Sequence, residues 1–325
     1  MLLVTRSPAP RAHSTEFRKH GTPGAKMIQV LTSAMLLLLT TAVRADGELG
    51  HRVLGSVGLD AGTQPTEGLY AGDRFFHYSA DRLVDRQGNP LPIKGLDINA
   101  YANVIGLSGT IKPEGWPYLS AAFAVPVAWL STKADVPETD IGRSGLGDIF
   151  VQPLMIGWRS QRFDAVGSYN FYAPTGQLNR RGLGQPQWSQ QVSLGGTLFF
   201  DDDRGFRLSA LASYNHYHKK LSIDLTRGDT VQLQGGLGGR FFQLVDFGVA
   251  AYALWQVADD QGTALPQAAR GARERVYGLG PEIGIAIPAL GAKLTARYEW
   301  DLGARSRPEG QVLVVGLSFV GWRPP

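Results

Sequence analysis

From residue 68 onward the chain alternates apolar and polar residues with a period of two, in segments of roughly 10–14 residues; that period puts successive side chains on opposite faces of a strand. Between Trp188 and Phe200, for example, Trp188, Val192, Leu194, Leu198 and Phe200 share one face, and Ser189, Gln191, Ser193 and Thr197 share the other. The same split recurs in 205–218, where Phe206, Leu208, Ala210, Ala212 and Tyr214 oppose Arg207, Ser209, Ser213 and Asn215. In 291–302, Leu294, Ala296, Tyr298, Trp300 and Leu302 oppose Lys293, Thr295, Arg297, Glu299 and Asp301. Twelve such segments fit between residues 68 and 322. Short connections (159–160, 201–204, 244–245, 289–290) alternate with longer ones (80–94, 131–144, 175–186, 219–229, 259–271), all of them expected to be loops.

Segment length decides between two all-β solutions. Strands of soluble proteins average about 5–6 residues, whereas a tilted strand that spans a bilayer needs about 9–11. In lipid every backbone N–H and C=O must be paired, so such a sheet has to close on itself. Its apolar face then meets lipid and its polar face lines the lumen. The expected fold is an all-β, up-and-down antiparallel transmembrane barrel of about twelve strands over 68–325, with both termini at the periplasmic end. Aromatic residues near segment ends agree with interfacial belts: Tyr70, Phe75, Trp129, Trp158, Tyr169, Tyr172, Trp188, Tyr214, Trp255, Tyr298, Trp300 and Trp322.

The chain before residue 68 has a different character. Ile28 to Thr41 form one apolar run, preceded by Arg6, Arg11, Arg18, Lys19 and Lys26 and followed by Val43-Arg44-Ala45. A basic region, a short apolar core and a small-residue exit make a secretory signal peptide over 1–45. The remaining stretch, 46–67, is expected to be a periplasmic segment or a short plug. Removing residues 1–45 takes the formal net charge from +4 to −1. The basic character of the whole chain therefore gives no reason to expect nucleic acid as a partner. The chain contains no cysteine, which excludes disulfides, thiolate metal sites and cysteine nucleophiles.

Several short stretches recur in an ordered series: Glu67-Gly-Leu-Tyr70, Phe76-His-Tyr-Ser-Ala80, Gly145-Leu-Gly-Asp148, Ala173-Pro-Thr-Gly176, Leu225-Thr-Arg-Gly-Asp-Thr230, Gly280-Pro281, Arg297-Tyr-Glu299 and Glu309-Gly310. In order and spacing, from about Gly68 to Gly321, the chain resembles the meta-pathway phenol-degradation proteins, a family of outer-membrane transporters. It departs from them in lacking a tyrosine at Leu225–Arg227 and in running past Phe319 and Trp322 to Arg-Pro-Pro. The resemblance implies a barrel for uptake of small hydrophobic or aromatic compounds, with outer-membrane lipid and the barrel-assembly machinery as further partners. A structural or adhesive barrel without transport is the alternative, and an outer-membrane lipid hydrolase a more distant one.

Residues expected to line the lumen are Asp148, Gln152, Arg240, Glu282, Lys293, Arg297 and Glu299, with Asp164 and Asn170 on the same face. Charges are tolerable there because the interior is wet or lets them pair. Small residues on that face (Gly195, Gly236, Gly238, Gly278, Gly280, Gly284, Ala286) suggest open space. His216 and His218 share one strand face, a spacing able to chelate a metal, but no third ligand lies nearby and they read as rim residues. Asp201-Asp202-Asp203 reads as a solvated turn. Ser213 and His216 point to opposite faces, and neither a Gly-x-Ser-x-Gly elbow nor a phosphate or dinucleotide loop occurs. No catalytic, metal or cofactor site is therefore expected.

Overall fold

The computed structural model describes residue 51, residues 54–176, residue 183 and residues 187–324. The apolar run 28–41 and the boundary after Ala45 lie outside the described residues. Thirteen strands form one antiparallel sheet: β1 (Gly68–Leu83), β2 (Asp97–Ile111), β3 (Tyr118–Ala134), β4 (Thr139–Leu146), β5 (Ile149–Arg159), β6 (Phe163–Ala173), β7 (Ser189–Phe199), β8 (Arg207–Tyr217), β9 (Thr230–Phe241), β10 (Val245–Gln256), β11 (Arg275–Ile287), β12 (Ala292–Arg305) and β13 (Pro308–Trp322). Twelve of them close a ring. β1 pairs with β2 on one side and with β13 on the other, β2 pairs with β3, β3 with β5, and each later strand with the next. The ring strands are 11 to 17 residues long, about twice the length usual in soluble sheets. No helix among the described residues is long and apolar enough to cross a membrane.

The period of two sets the inside and the outside. In β8, Leu208 and Tyr214 are exposed on the outer face while Arg207, Ser209, Ser213 and Asn215 are buried within. Trp129, Trp158, Trp188, Trp300 and Trp322 are all exposed on the outer face. Tyr70 and Tyr172 differ from the expected aromatic belt. Both turn into the lumen, where Tyr70 contacts Thr66 and Tyr172 stacks on His51.

Short turns close one end of the barrel, the end that carries Gly68 and Trp322. At β9–β10 the turn residues Phe242 and Gln243 both have positive φ, 53° and 59°, as the centre of a type I′ turn requires, and Leu244 N closes the turn by donating to Phe241 O (3.0 Å). At β7–β8 the Asp201 carboxylate accepts from the N–H groups of Gly205 and Phe206. At the other end the connections are long. There Lys219, then Thr263, hold the Asp224 carboxylate well below the usual range by hydrogen bonding to it.

One expected loop is a hairpin. Residues 131–144 continue β3 to Ala134 and return as β4, which pairs with the upper half of β3 from Val127 to Ala134. The lower half, Tyr118 to Ala124, pairs with β5 instead. Gly147 N donates to Pro126 O (2.8 Å) where β4 hands over to β5, so the two occupy successive stretches of one ring position. β4 pairs with no ring strand but β3. It lies beyond the level where β5 and β6 end against each other, and a hairpin outside the apolar band needs no apolar stripe. The polar sequence of this stretch therefore looked like a loop.

Candidate functional site: a lumen with two unlike walls

The chain ahead of β1 folds back into the barrel. Beginning at the short-turn end, Gln64 N donates to Asp164 Oδ2 (3.2 Å), Thr63 Oγ1 meets Thr197 Oγ1 (2.9 Å), and Gly62 N donates to Ser209 Oγ (2.7 Å). Asp60 pairs with Arg207 (2.8 Å) and Lys293 (2.6 Å). Leu59 N donates to Glu282 Oε2 (3.0 Å), and its side chain is 1% exposed. Farther along, Ser56 N donates to Gln234 Oε1 (3.1 Å), and Leu54 packs with Phe76, Tyr252, Val312 and Val314. At the long-loop end His51 Nε2 lies 2.8 Å from Asp148 Oδ2, and its other ring nitrogen meets the Ser189 hydroxyl.

Glycines make this insertion sterically possible. A Cβ at Gly236, Gly238 or Gly248 would come within 3.0, 2.8 and 2.8 Å of Leu59 Cδ2. A Cβ at Gly157 would overlap the Gln64 carboxamide. Gly236 and Gly238, read from the sequence as open space, are thus the seat of Leu59. On the neighbouring strand β11, the space at Gly278 is taken up by the ring of its cross-strand partner Tyr252.

Buried charge on this side is paired in two groups. Asp246 accepts from Arg240 (2.9 Å), Arg207 (3.2 Å) and Lys293 (2.7 Å). Glu282 pairs with Arg297 (3.4 Å), which lies 3.7 Å from Glu299. Charges out of water need partners of this kind, since an isolated one costs several kcal/mol.

What the segment leaves is a cavity of about 710 Å³ along β1–β3 and β5–β9, reaching β12 and β13 at Thr295 and Gly316. The β2–β3 wall presents small apolar groups: Ala100, Ala102, Val104, Ala122, Ala124 and Ala128. Facing it are amides and hydroxyls, among them Asn170, Gln191, Ser193, Gln232 and Gln234. These run as a hydrogen-bonded series in which Asn170 donates to Gln191 and Gln191 to Asn215 (both 2.8 Å), with Ser193 bonded to Ser213 (2.8 Å). A solute here meets carbon on one side and neutral donors and acceptors on the other.

The seven residues expected to line the lumen all lie on inward positions, but they do not form one site. Asp148, Gln152 and Lys293 border the cavity. Arg240, Glu282, Arg297 and Glu299 lie away from it, in the ion-paired groups that meet the inserted segment. Sequence reasoning missed Leu59, Asp60, His51 and Arg74. The alternation of glycines on β9 and β10 was the one signal for the first.

Ser189, His51 and Asp148 are the residue types of a hydrolytic triad. Ser189 is 1% exposed and lies off the cavity wall, so here the three fasten the inserted segment. Ser213 is buried inside whereas His216 is outside, paired to Asp229 at 3.0 Å, and His218 contacts Gln190.

A family model described as "Putative MetA-pathway of phenol degradation" matches residues 80–315. No curated protein matches the chain in sequence. Among solved structures, the COG4313 outer membrane channel from Pseudomonas putida F1 superposes with a TM-score of 0.70 at 13% identity, covering 80% of this chain and 97% of that one. The transport unit of the autotransporter AIDA-I from Escherichia coli gives a TM-score of 0.53 at 11% identity, covering 86% and 96%. The fold is that of outer-membrane β-barrels.

Proposed function

The chain belongs to this phenol-degradation family, and on that premise we propose that it is an outer-membrane channel passing small hydrophobic or aromatic solutes along the cavity beside β2 and β3. The observation that carries this reading is the pairing of a small-residue apolar wall with a wall of neutral amides and hydroxyls. An apolar solute gains contact on one side and keeps a partner for a hydroxyl on the other. A site that binds weakly on both sides lets solute leave as well as enter. The short-turn end, which carries Gly68 and Trp322, faces the periplasm in this reading, and the barrel-assembly machinery inserts the barrel. His51 lies at the opposite end, so the described part of the segment before β1 runs the length of the lumen, and the expectation that both termini sit at the periplasmic end does not hold for it. Residues 1–45 act as an export signal cleaved after Ala45, which N-terminal sequencing of the membrane-extracted protein tests.

Flux into proteoliposomes tests the channel directly. Benzyl alcohol should enter faster than through protein-free vesicles, and glucose should not. A second reading, a closed structural barrel, is favoured by the segment 54–66 filling the charged half of the lumen. It predicts vesicles no more permeable than the lipid alone.

A further inference from the structure

Arg74 is set apart from the other cations of the lumen. It points inward from β1, beside Val104 on β2 and Gly316 on β13. Gly316 lies beside it, where a Cβ would meet the Thr295 hydroxyl at 2.7 Å and touch Arg74 Cγ at an ordinary contact distance of 3.7 Å. Its guanidinium is exposed to the cavity and donates through Nη1 to the Ser56 carbonyl (2.9 Å). Among the described residues it has no ion-pair partner. Around this level Arg207, Arg240, Lys293 and Arg297 each have a carboxylate, drawn from Asp60, Asp246, Glu282 and Glu299. Those four cations are each ion-paired, and Arg74 is not.

An arginine carries five N–H donors in a rigid fork that matches a carboxylate. Here most of them face open space, and the small apolar groups Ala102, Val104 and Ala122 lie along the same cavity. We infer that Arg74 is a recognition site for the carboxylate of a small amphipathic anion, so that the cavity selects organic acids over amines of the same size. The inference rests on the channel reading above. The paired cations cannot take this role without giving up a protein carboxylate. Carboxylate and apolar body are recognised by different parts of one cavity, and one guanidinium holds an anion without enclosing it in a cage.

The test compares benzoate, benzylamine and benzyl alcohol entering proteoliposomes at neutral pH, with heat-modifiable gel migration reporting the folded barrel. Wild-type protein should pass benzoate in preference to benzylamine. Arg74→Gln should lower the benzoate-to-benzyl-alcohol flux ratio about tenfold, as expected for loss of a charge-assisted hydrogen bond. Val104→Glu leaves Arg74 in place but gives it a carboxylate partner, and it should lower the same ratio. An unchanged ratio in either folded variant, or a wild-type preference for benzylamine, overturns the inference and leaves the channel standing. Entry of all three solutes no faster than into protein-free vesicles overturns the channel and the inference together.

Discussion

The two halves of the barrel wall use the same alternation for opposite ends. Between β6 and β12 the buried charged residues Asp164, Arg207, Asp246, Glu282, Arg297 and Glu299 are packed against the segment that precedes β1, while Thr295 on β12 and the amides of β6–β9 border the cavity. On β2 and β3 the inner face carries alanine, valine and glycine and borders open space. The difference teaches that polar character inside a barrel is no measure of openness. Charged residues here attract a piece of the chain, whereas small apolar ones attract nothing the chain supplies and leave a void. That void is where a foreign apolar molecule fits.

Asp246→Ala should be the most damaging change. It strips a shared carboxylate from Arg207, Arg240 and Lys293, and breaking a buried charge group costs about 3–5 kcal/mol. Equilibrium folding into liposomes measures it. Leu208→Arg, on the outer face, should cost about 2–4 kcal/mol if that position lies near the bilayer midplane. Arginine at Thr295, which borders the cavity, should cost less than half as much. At Ser209, whose hydroxyl accepts from Gly62 N, arginine should be as harmful as outside, because the packed wall behaves as a core. Equal costs at Thr295 and Ser209 would erase the distinction between the walls.

Leu59→Ala comes next, at about 2 kcal/mol, the low end for a buried leucine, because its seat is lined by glycines that offer little contact. Single-channel conductance should rise in this variant as the segment loosens. The smallest effect on stability belongs to the open wall. Ala124→Leu fills void and should change folding free energy by less than about 1.5 kcal/mol, yet it should reduce benzyl alcohol flux several-fold. A large loss of stability there would mean that the β2–β3 wall is packed after all.

The sequence carried most of the barrel, because bilayer thickness fixes strand length and lipid fixes which face is apolar. Leu208, Trp188 and Trp300 are where their alternation puts them. β4 escaped notice for the converse reason, as lipid imposes no pattern on Ile141, Arg143 and Gly145 beyond the band. The site was legible only one strand at a time. Alternation assigns Glu282 and Arg297 to the inside, but nothing in it says that Leu59 N will reach Glu282 across 223 residues of chain. Nor could it separate Gln152, which borders the cavity, from Glu299, which lies in the ion-paired group. That division depends on where the inserted segment lies, and the segment has no periodicity of its own. Gly236 and Gly238 recorded its presence, but as missing side chains that looked like vacancy.

The inserted segment joins β1 directly at Gly68, and this has a consequence for how firmly it must hold. It is an internal ligand whose local concentration is set by a tether of almost no length, which for short links reaches about the millimolar range or above. Individually modest contacts, such as one seated leucine and a few side-chain bonds to the wall, are therefore enough to keep it in place most of the time. A free peptide of the same sequence would compete poorly with it. A solute that pushes Ser56 or Leu54 aside displaces only part of the segment, and the rest draws it back once the solute has passed.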